Sequence, residues 1–370
     1  MLTMDAADPD RRPRAEEVVA ATAGLRLTDG ARLTFEPGGQ VELSSRAHAD
    51  AGAAIAATTL DVRALRACLD AHGIAVAAVG MDPTRPPARI VATPRYDAME
   101  AYFERAGDAG LAMMCSTASI QVNVDLGDAG ALGARWRRAH AIGPVLVAAF
   151  ANSPLAGGRI TGARSTRQRV WAAVDPTRSA PVATSPGPAD AWARYALAAR
   201  VMLVRGEDGS FHAVHDDLPF ARWMAEGHEL GYPTADDFAY HLTTLFPPVR
   251  PKGWLELRML DAVPDPWWQV AVAVTTALLD DAEAADIADR ACRSVAGCWA
   301  EAASHGLGDP RLATAAKTCF VAALDALPRM GVDGETLGAG ETFVEHYVER
   351  GRCPGDDLLD AWTLAPASRS

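Results

Sequence analysis

The sequence predicts an α+β fold in which a mainly antiparallel sheet is wrapped by helices. Three observations lead there. Separated stretches alternate apolar and polar residues with period two: Leu33 to Phe35 with Val41 to Leu43, Ile120 to Val124, and Leu255 to Met259. That alternation marks strands with one buried face. Strands and helices do not follow the β-α-β rhythm of a doubly wound sheet. From Trp267 to about Arg350 the chain is Ala-rich and helical, broken at Gly306 and near Gly331 into roughly three pieces. The whole chain, 1–370, reads as a single domain: a polar lead over 1–30, a sheet-bearing core over 31–265 and a helical part over 266–370.

In order, Ala15 to Gly24 is a helix stopped by glycine. Pro37-Gly38-Gly39 is a turn, since Pro presets one φ and Gly permits positive ones. The hairpin it closes sets Glu36 opposite Gln40 and Thr34 opposite Glu42, with all four on one face. Ala47 to His72 is helix, Ile74 to Gly80 an apolar strand, and the prolines between Met81 and Pro94 make an irregular connection. A short helix, Tyr96 to Ala106, carries Tyr102 and Phe103 into the core. Ser116 to Asp125 is the second alternating strand, with Gln121, Asn123 and Asp125 on its polar face. Leu132 to Phe150 is a long helix, apolar in its second half and so buried. A Gly-rich loop, Ala156 to Gly162, precedes a helix opened by Arg164 to Arg169. Asp175 to Asp190 is a long loop fit for a lid or a substrate wall. Tyr195 to Arg205 reads as strand, and Phe220 to Gly227 and Thr234 to Thr244 as helices. The third alternating strand, Trp254 to Asp261, puts Glu256 and Arg258 on its polar face.

Composition excludes several functions. A net charge of −12 gives no basic excess for nucleic acid or for anionic membranes. No run of about 18 apolar residues spans a bilayer, and the first residues have no apolar core like that of a secretory signal. Six scattered cysteines with no Cys-x-x-Cys pair fit a reduced, cytoplasmic protein.

The polar stripes carry the chemistry. Set side by side, Glu36, Gln40, Glu42, then Gln121, Asn123, Asp125, then Glu256 and Arg258 form a surface of hard oxygen ligands edged by an arginine. Magnesium takes such ligands together with waters and phosphate oxygens. Arg164, Arg167 and Arg169 beside the Gly-rich loop offer forked hydrogen bonds to a phosphate or carboxylate. That loop lacks the Lys-Ser/Thr of a P-loop. His212, His215 and Asp216 have only vaguely metal-like spacing. On these residues alone the chain is an ATP-using magnesium and phosphate protein, and a ligase, a kinase-like transferase and a phosphohydrolase all fit.

The same residues resemble the glutamate–cysteine ligases of the plant and actinobacterial type. The strings are Glu36-Pro-Gly-Gly-Gln-Val-Glu-Leu-Ser44, Gln121-Val-Asn-Val-Asp125, Phe150-Ala-Asn-Ser-Pro154, Ser165-Thr-Arg167 with Trp171, and His241-Leu-Thr-Thr-Leu-Phe-Pro247 running to Leu255-Glu-Leu-Arg258. Met113 to Ser119 and Arg164 to Gln168 resemble the actinobacterial branch that makes γ-glutamylcysteine for ergothioneine; plant members carry Arg where this chain has Ser116. The resemblance implies a glutamine-synthetase-like catalytic fold with a curved sheet. It implies ATP and Mg²⁺ as cofactors, L-glutamate and L-cysteine as substrates, a γ-glutamyl phosphate on the way, and no nucleic-acid, membrane or obligate protein partner. It implies Glu36, Glu42 and Glu256 as magnesium ligands, and Arg258 as the group that stabilises phosphate charge. Arg167 would hold a substrate carboxylate, with Gln121, Asn123 and Arg164 on the glutamate or nucleotide side.

One departure stands out. The family begins with a strand carrying Glu-x-Glu just ahead of the region resembling Leu2 to Pro9, whereas the acids here before Glu16 are Asp5, Asp8 and Asp10 in a turn-like context. The expectation is that Met1 lies inside or just after that strand and that metal binding is weakened accordingly. The rival readings are a related carboxylate–amine ligase with another amine, and a catalytically weakened ATP-binding relative.

Overall fold

Short alternating segments closed by Gly and Pro turns produce small sheets here, and the long apolar helices supply most of the core. The computed structural model describes residues 1–364 except Glu207 and Leu230. The chain begins β1 (Leu2–Asp5), α1 (Ala15–Thr22), β2 (Arg32–Phe35), β3 (Val41–Ser44), α2 (Ala51–Asp70), β4 (Ile74–Ala77), α3 (Pro94–Phe103), α4 (Asp108–Ser116), β5 (Ser119–Val124) and α5 (Leu132–Ala149). It continues through β6 (Leu155–Ala156), β7 (Arg159–Ile160), α6 (Thr166–Val174), α7 (Pro176–Ser179), α8 (Pro188–Ala198), β8 (Leu203–Arg205), β9 (Phe211–Ala213), α9 (Phe220–Glu226), α10 (Ala235–Leu242), β10 (Val249–Pro251) and β11 (Leu255–Asp261). The helices α11 (Trp267–Asp280), α12 (Ala282–Ala291), α13 (Trp299–His305), α14 (Pro310–Ala326), α15 (Gly334–Phe343) and α16 (Pro354–Leu364) follow. Among the described residues the paired strands are antiparallel: β1–β4, β2–β3, β6–β7 and β8–β9 as two-stranded units, and β10–β11–β5 as a three-stranded sheet. The class is α+β.

The β2–β3 hairpin has the register its turn dictates. Thr34 pairs with Glu42 and Phe35 with Val41. Glu36 N donates to Gln40 O, and Gly39, at φ 81°, donates to Glu36 O. This is a three-residue loop with glycine at the left-handed position. Gly38 is required for a different reason: a Cβ there would lie 2.1 Å from the Cys115 carbonyl oxygen, so the loop sits directly on the end of α4. Gln40 leaves the polar face. It is buried, accepts from Gly38 N and donates to the carbonyls of Met114 and Thr117, locking the hairpin to α4.

The main core forms around α5. Trp136, Ala139, Ile142 and Leu146 are fully buried among Val122, Val124, Leu255 and Leu257 of the three-stranded sheet and Val270, Val274 and Phe320 of α11 and α14. Each such aliphatic or aromatic side chain contributes about 1.5–3 kcal/mol of transfer free energy. Among the described residues no helix is long and apolar enough to cross a membrane. None of the six cysteines is in a disulfide.

Four expectations are corrected. Leu2 to Asp5, within the expected polar lead, is a strand: Leu2 and Thr3 are buried and pair with β4, while the turn-like context of the acids holds, with Asp5 accepting from the amides of Ala7 and Asp8 and Asp8 from that of Asp10. Tyr195 to Arg205 is not one strand: Tyr195 to Ala198 end α8, which Pro188 opens at its first turn and which buries Ala191 and Ala196, residues 199–202 are irregular, and only Leu203–Arg205 is strand. Asp175 to Asp190 contains α7 and the start of α8. The helical C-terminal part has more breaks than its glycines announce, because Asp281, Asp309 and Asp333 each cap a new helix with their side chains.

Candidate active site

The polar faces of β5, β10 and β11 meet as the alternation requires. Glu256 stands opposite Asn123 on one side and Arg250 on the other. Its carboxylate lies 2.6 Å from Arg250 Nε, 2.9 Å from Arg258 Nη1 and 3.6 Å from Lys252 Nζ. Burial pushes its pKa up, but Arg258, Arg250 and Lys252 outweigh burial and bring it down to about 2. Three cations surround this one carboxylate, so Glu256 anchors an arginine cluster. Arg258 Nη1 also donates to Gln121 Oε1 at 3.2 Å, and its guanidinium lies over the rings of Phe246 and Trp171. Asn123 is exposed and accepts from Trp254 Nε1.

Arg258 is aimed by a β-bulge. Between the pairs Leu257–Val122 and Leu260–Ile120, two residues of β11, Arg258 and Met259, face the single residue Gln121. A bulge leaves backbone groups without ladder partners, and the start of α6 takes them up. Arg167 donates to Arg258 O at 2.8 Å and to Met259 O at 3.3 Å, and Gln168 Nε2 also donates to Met259 O. Arg167 is 3% exposed. Behind it stands Asp261, 2% exposed, 3.6 Å from Arg167 Nη1, accepting from Ser153 Oγ, Ser165 Oγ and Asn152 N. Gly80 makes room for that carboxylate: a Cβ there would lie 2.4 Å from Asp261 Cγ. Burial lowers the Arg167 pKa to about 10 while Asp261 props it up, so the guanidinium stays charged at neutral pH. Burial likewise raises Asp261, opposed by Arg167.

Facing this cationic cluster is the hairpin's acid pair. Glu36 and Glu42 are half-buried. Among the described residues the Glu36 carboxylate makes no hydrogen bond or ion pair, and Glu42 accepts only from Ser44 Oγ at 3.2 Å. Burial first, and then repulsion from Glu42, raise the Glu36 pKa; Arg258, the N-terminal amine and Arg95 oppose that rise from a distance. The backbone of Met1 pairs with Val41 in both directions, which sets the amine beside the two acids. Tyr96 lies in the same field: burial and the two glutamates raise its pKa, so it stays a protonated phenol. An acid pair with so few partners has room for a cation. Among the described residues no three His, Cys, Asp or Glu side chains converge on one point. The pair therefore leaves most of a coordination shell to waters and ligand oxygens, as Mg²⁺ commonly does.

The structure thus gathers Glu36, Glu42, Gln121, Asn123, Glu256 and Arg258 around one face, with Arg167 beneath it. Arg164 stands apart. Its Nε pairs with Asp356 Oδ1 at 2.6 Å, and its backbone amide donates to Ala303 O, so it ties the start of α6 to the C-terminal helices. His241 is buried, holds Ala196 O at 2.9 Å and is pushed down to about 4 by burial, a neutral strut between α8 and α10. His212 is exposed against Ser210 Oγ. Sequence reasoning missed Arg250 on β10 and Lys252 just after it, the buried Asp261, and Arg95 and Arg205, which flank the Tyr240 ring at 5.3 and 4.5 Å. Asp261 leaves one trace in the sequence: strict alternation from Leu255 would put this acid on the apolar face.

Nearly the whole chain is similar to known proteins. The glutamate–cysteine ligase family 2 (GCS2) pattern matches residues 1–368. The chain is 45% identical over 365 residues to "Glutamate–cysteine ligase EgtA" of Mycobacterium tuberculosis, covering 96% of this chain and 83% of that one. It is 45% identical over 363 residues to the protein of the same name from Mycolicibacterium smegmatis, covering 96% and 84%. A chloroplastic glutamate–cysteine ligase of Arabidopsis thaliana is 27% identical over 370 residues, covering 94% and 69%. With the family pattern spanning nearly its whole length, this chain belongs to glutamate–cysteine ligase family 2.

Proposed function

We propose that this protein is an ATP-dependent ligase that joins the γ-carboxylate of L-glutamate to the amine of L-cysteine, giving γ-glutamylcysteine for ergothioneine biosynthesis. The observation that carries this reading is the poorly partnered pair Glu36 and Glu42 facing an arginine that a β-bulge holds in place. Similarity at 45% identity over 96% of the chain supports cysteine over another amine. In this proposal the whole chain acts as one catalytic domain on a glutamine-synthetase-like sheet, in the cytoplasm, without a protein partner.

The residues fit the groups the reaction needs. Glu36 and Glu42 would hold the Mg²⁺, since among the described residues Glu36 has no hydrogen-bond or ion-pair partner, Glu42 has only Ser44 Oγ, and the two repel each other. Glu256 acts through Arg258, which it orients and partly neutralises. Bound Mg²⁺ supplies charge neutralisation for the transferring phosphoryl group. Arg258 lies between the acid pair and Gln121, where it meets charge that builds on that group without having to reorganise. Arg95 and Arg205 are further cations for a carboxylate or phosphate, and Gln121 and Asn123 are uncharged hydrogen-bonding groups for glutamate or nucleotide. Once the γ-carboxylate has accepted the phosphoryl group, the cysteine amine attacks the acyl carbon and phosphate leaves. The aromatic wall of Trp171 and Phe246 around Arg258 keeps competing water away.

The test is ADP release from the 370-residue chain with Mg²⁺, ATP, glutamate and cysteine, each omitted in turn. Release that needs both amino acids is expected. Release that needs glutamate alone and ignores cysteine, or that follows another amine, would refute the assignment. Arg258→Ala should lower kcat by about 10²–10³-fold, the range for losing one charge-stabilising donor.

A further inference from the structure

The turn that joins β10 to β11 sets two side chains at the edge of the arginine cluster. Pro251 pairs with Leu255, so Lys252, Gly253 and Trp254 form the loop, closed by Lys252 N donating to Trp254 O at 2.8 Å. Gly253 takes the left-handed conformation there, at φ 83°. Trp254 precedes Glu256 by two residues, so alternation puts its ring on the polar face, in line with Glu256 and Arg258. The contacts agree. Trp254 Nε1 donates to Asn123 Oδ1 at 3.1 Å, and Asn123 stands opposite Glu256. Lys252 Nζ lies 5.5 Å from the centre of the Trp254 ring and 3.6 Å from Glu256 Oε1.

Trp254 is 39% exposed, whereas Leu255 and Leu257 on the opposite face of the same strand are fully buried. A scattered exposed apolar side chain is ordinary. This one is instead fixed by a hydrogen bond to one site residue and covered by a cation that pairs with another. An indole N–H only donates, so Asn123 turns its Oδ1 to the ring and keeps the hydrogens of its amide nitrogen for another partner. Asn123 and Lys252 are both exposed. Trp254 and Arg258 are four residues apart, about 13 Å along the strand at roughly 3.3 Å per residue. That is close to the span from the terminal phosphate to the base in an extended nucleoside triphosphate. The face therefore carries, in order, an exposed aromatic ring with an uncharged donor, an exposed ammonium, and the arginine that faces the acid pair.

We propose that Trp254 is the platform on which the base of the nucleotide stacks, so that the triphosphate runs along β11 towards Arg258. This rests on the ATP-using reading of the site and adds which end of the face takes which end of the nucleotide. The exposed part of the indole gives the base an apolar π surface. Asn123 Nδ2 donates to a ring nitrogen or a ribose oxygen, and the Lys252 ammonium pairs with a phosphate. Glutamate and cysteine bring no ring to this surface, so their places are nearer the acid pair.

The test is calorimetric titration of the full chain with Mg²⁺ and either ATP or inorganic tripolyphosphate, which has the phosphates but no base. Wild type, Trp254→Ala and Trp254→Phe are compared; the ring is at the surface, so its removal should leave the fold intact. Trp254→Ala should weaken ATP binding about 5- to 150-fold, the range for losing one base–aromatic stack, and leave tripolyphosphate binding unchanged. Trp254→Phe keeps a ring and should stay within a few-fold of wild type. In ADP release, Trp254→Ala should raise KM for ATP with kcat nearly unchanged, because a contact remote from the transferring phosphate binds ground and transition states alike. Unaltered ATP affinity in Trp254→Ala would overturn the proposal. So would a parallel loss of tripolyphosphate binding, which would make Trp254 a prop for the Glu256 cluster. ATP binding that depends on Trp254, without ADP release when both amino acids are present, supports the stacking and refutes the ligase. A wild type that binds no ATP refutes both.

Discussion

If Arg167 acts by holding the bulge, its removal should damage stability and catalysis together. Arg167→Met keeps a long apolar stem but strips from Asp261, which is 2% exposed, the one cation paired with it among the described residues, leaving the bonds from Ser153, Ser165 and Asn152. Breaking a buried pair by removing one partner costs about 3–5 kcal/mol. The carbonyl of Arg258, left without its donor, adds about 1–3 kcal/mol. Those losses are a large part of the roughly 5–15 kcal/mol that holds a typical domain together. Asp261→Asn should cost a similar amount, because it leaves Arg167 charged and alone. The double variant Arg167→Met/Asp261→Asn removes both charges, so it should be less destabilised than the sum of the singles by about 1–3 kcal/mol. Urea midpoints at constant slope measure these terms, and ADP release measures kcat and KM. Arg167→Lys should recover part of the stability but little kcat, since one ammonium cannot hold two carbonyls in a fork. Additive losses, or an Arg167→Met protein of normal stability whose only defect is a raised KM for glutamate, would refute the bulge role and return Arg167 to the substrate.

Other perturbations separate the acids by the sign of their charge balance. Glu36 has a raised folded pKa, so its ionised form opposes folding above that pKa. Glu36→Gln should melt higher than wild type at pH 7 without Mg²⁺, with the gap closing as pH falls towards 4.5, and should lose the melting shift that Mg²⁺ gives wild type. Glu256 has a folded pKa lowered from 4.5 to about 2, so its stabilisation is present above 4.5 and fades as pH falls towards 2. Glu256→Gln should lose roughly 3 kcal/mol at pH 7 and nearly nothing at pH 2 in urea titrations. Gly38→Ala puts a methyl group 2.1 Å from the Cys115 carbonyl oxygen. It should cost about 1–3 kcal/mol by urea unfolding and shift the Mg²⁺ dependence of ADP release, because the hairpin must move off α4.

Elements with a local cause can be read from the chain, and elements with a remote cause cannot. The Pro-Gly-Gly turn and the period-two flanks are enough to pair Thr34 with Glu42 and to put both hairpin glutamates in the site. The alternation through Leu255 to Met259 places Glu256 and Arg258 on one face, and Asn123 opposite Glu256 follows. What strict alternation cannot contain is the bulge at Arg258 and Met259, since its carbonyls are satisfied by Arg167 and Gln168 from a helix about 90 residues earlier. An arginine that grips backbone and an arginine that grips substrate are the same letter. Gln40 shows the same limit: period two puts it beside Glu36, yet three buried backbone partners draw it into the gap between the turn and α4.

Residue type is visible in the sequence, whereas the pairing of charges is a property of the fold, and pairing decides which acid is available. Glu256, Asp261 and the two hairpin glutamates are all acids in strand contexts. Glu256 meets three cations and falls to about 2, Asp261 meets one cation and three donors, and Glu36 meets another glutamate. Only the last arrangement leaves negative charge that an added cation would relieve. The acids best integrated into the fold are for that reason the ones least suited to hold a metal, and the pair that strains it is the one to mutate when looking for the Mg²⁺ site.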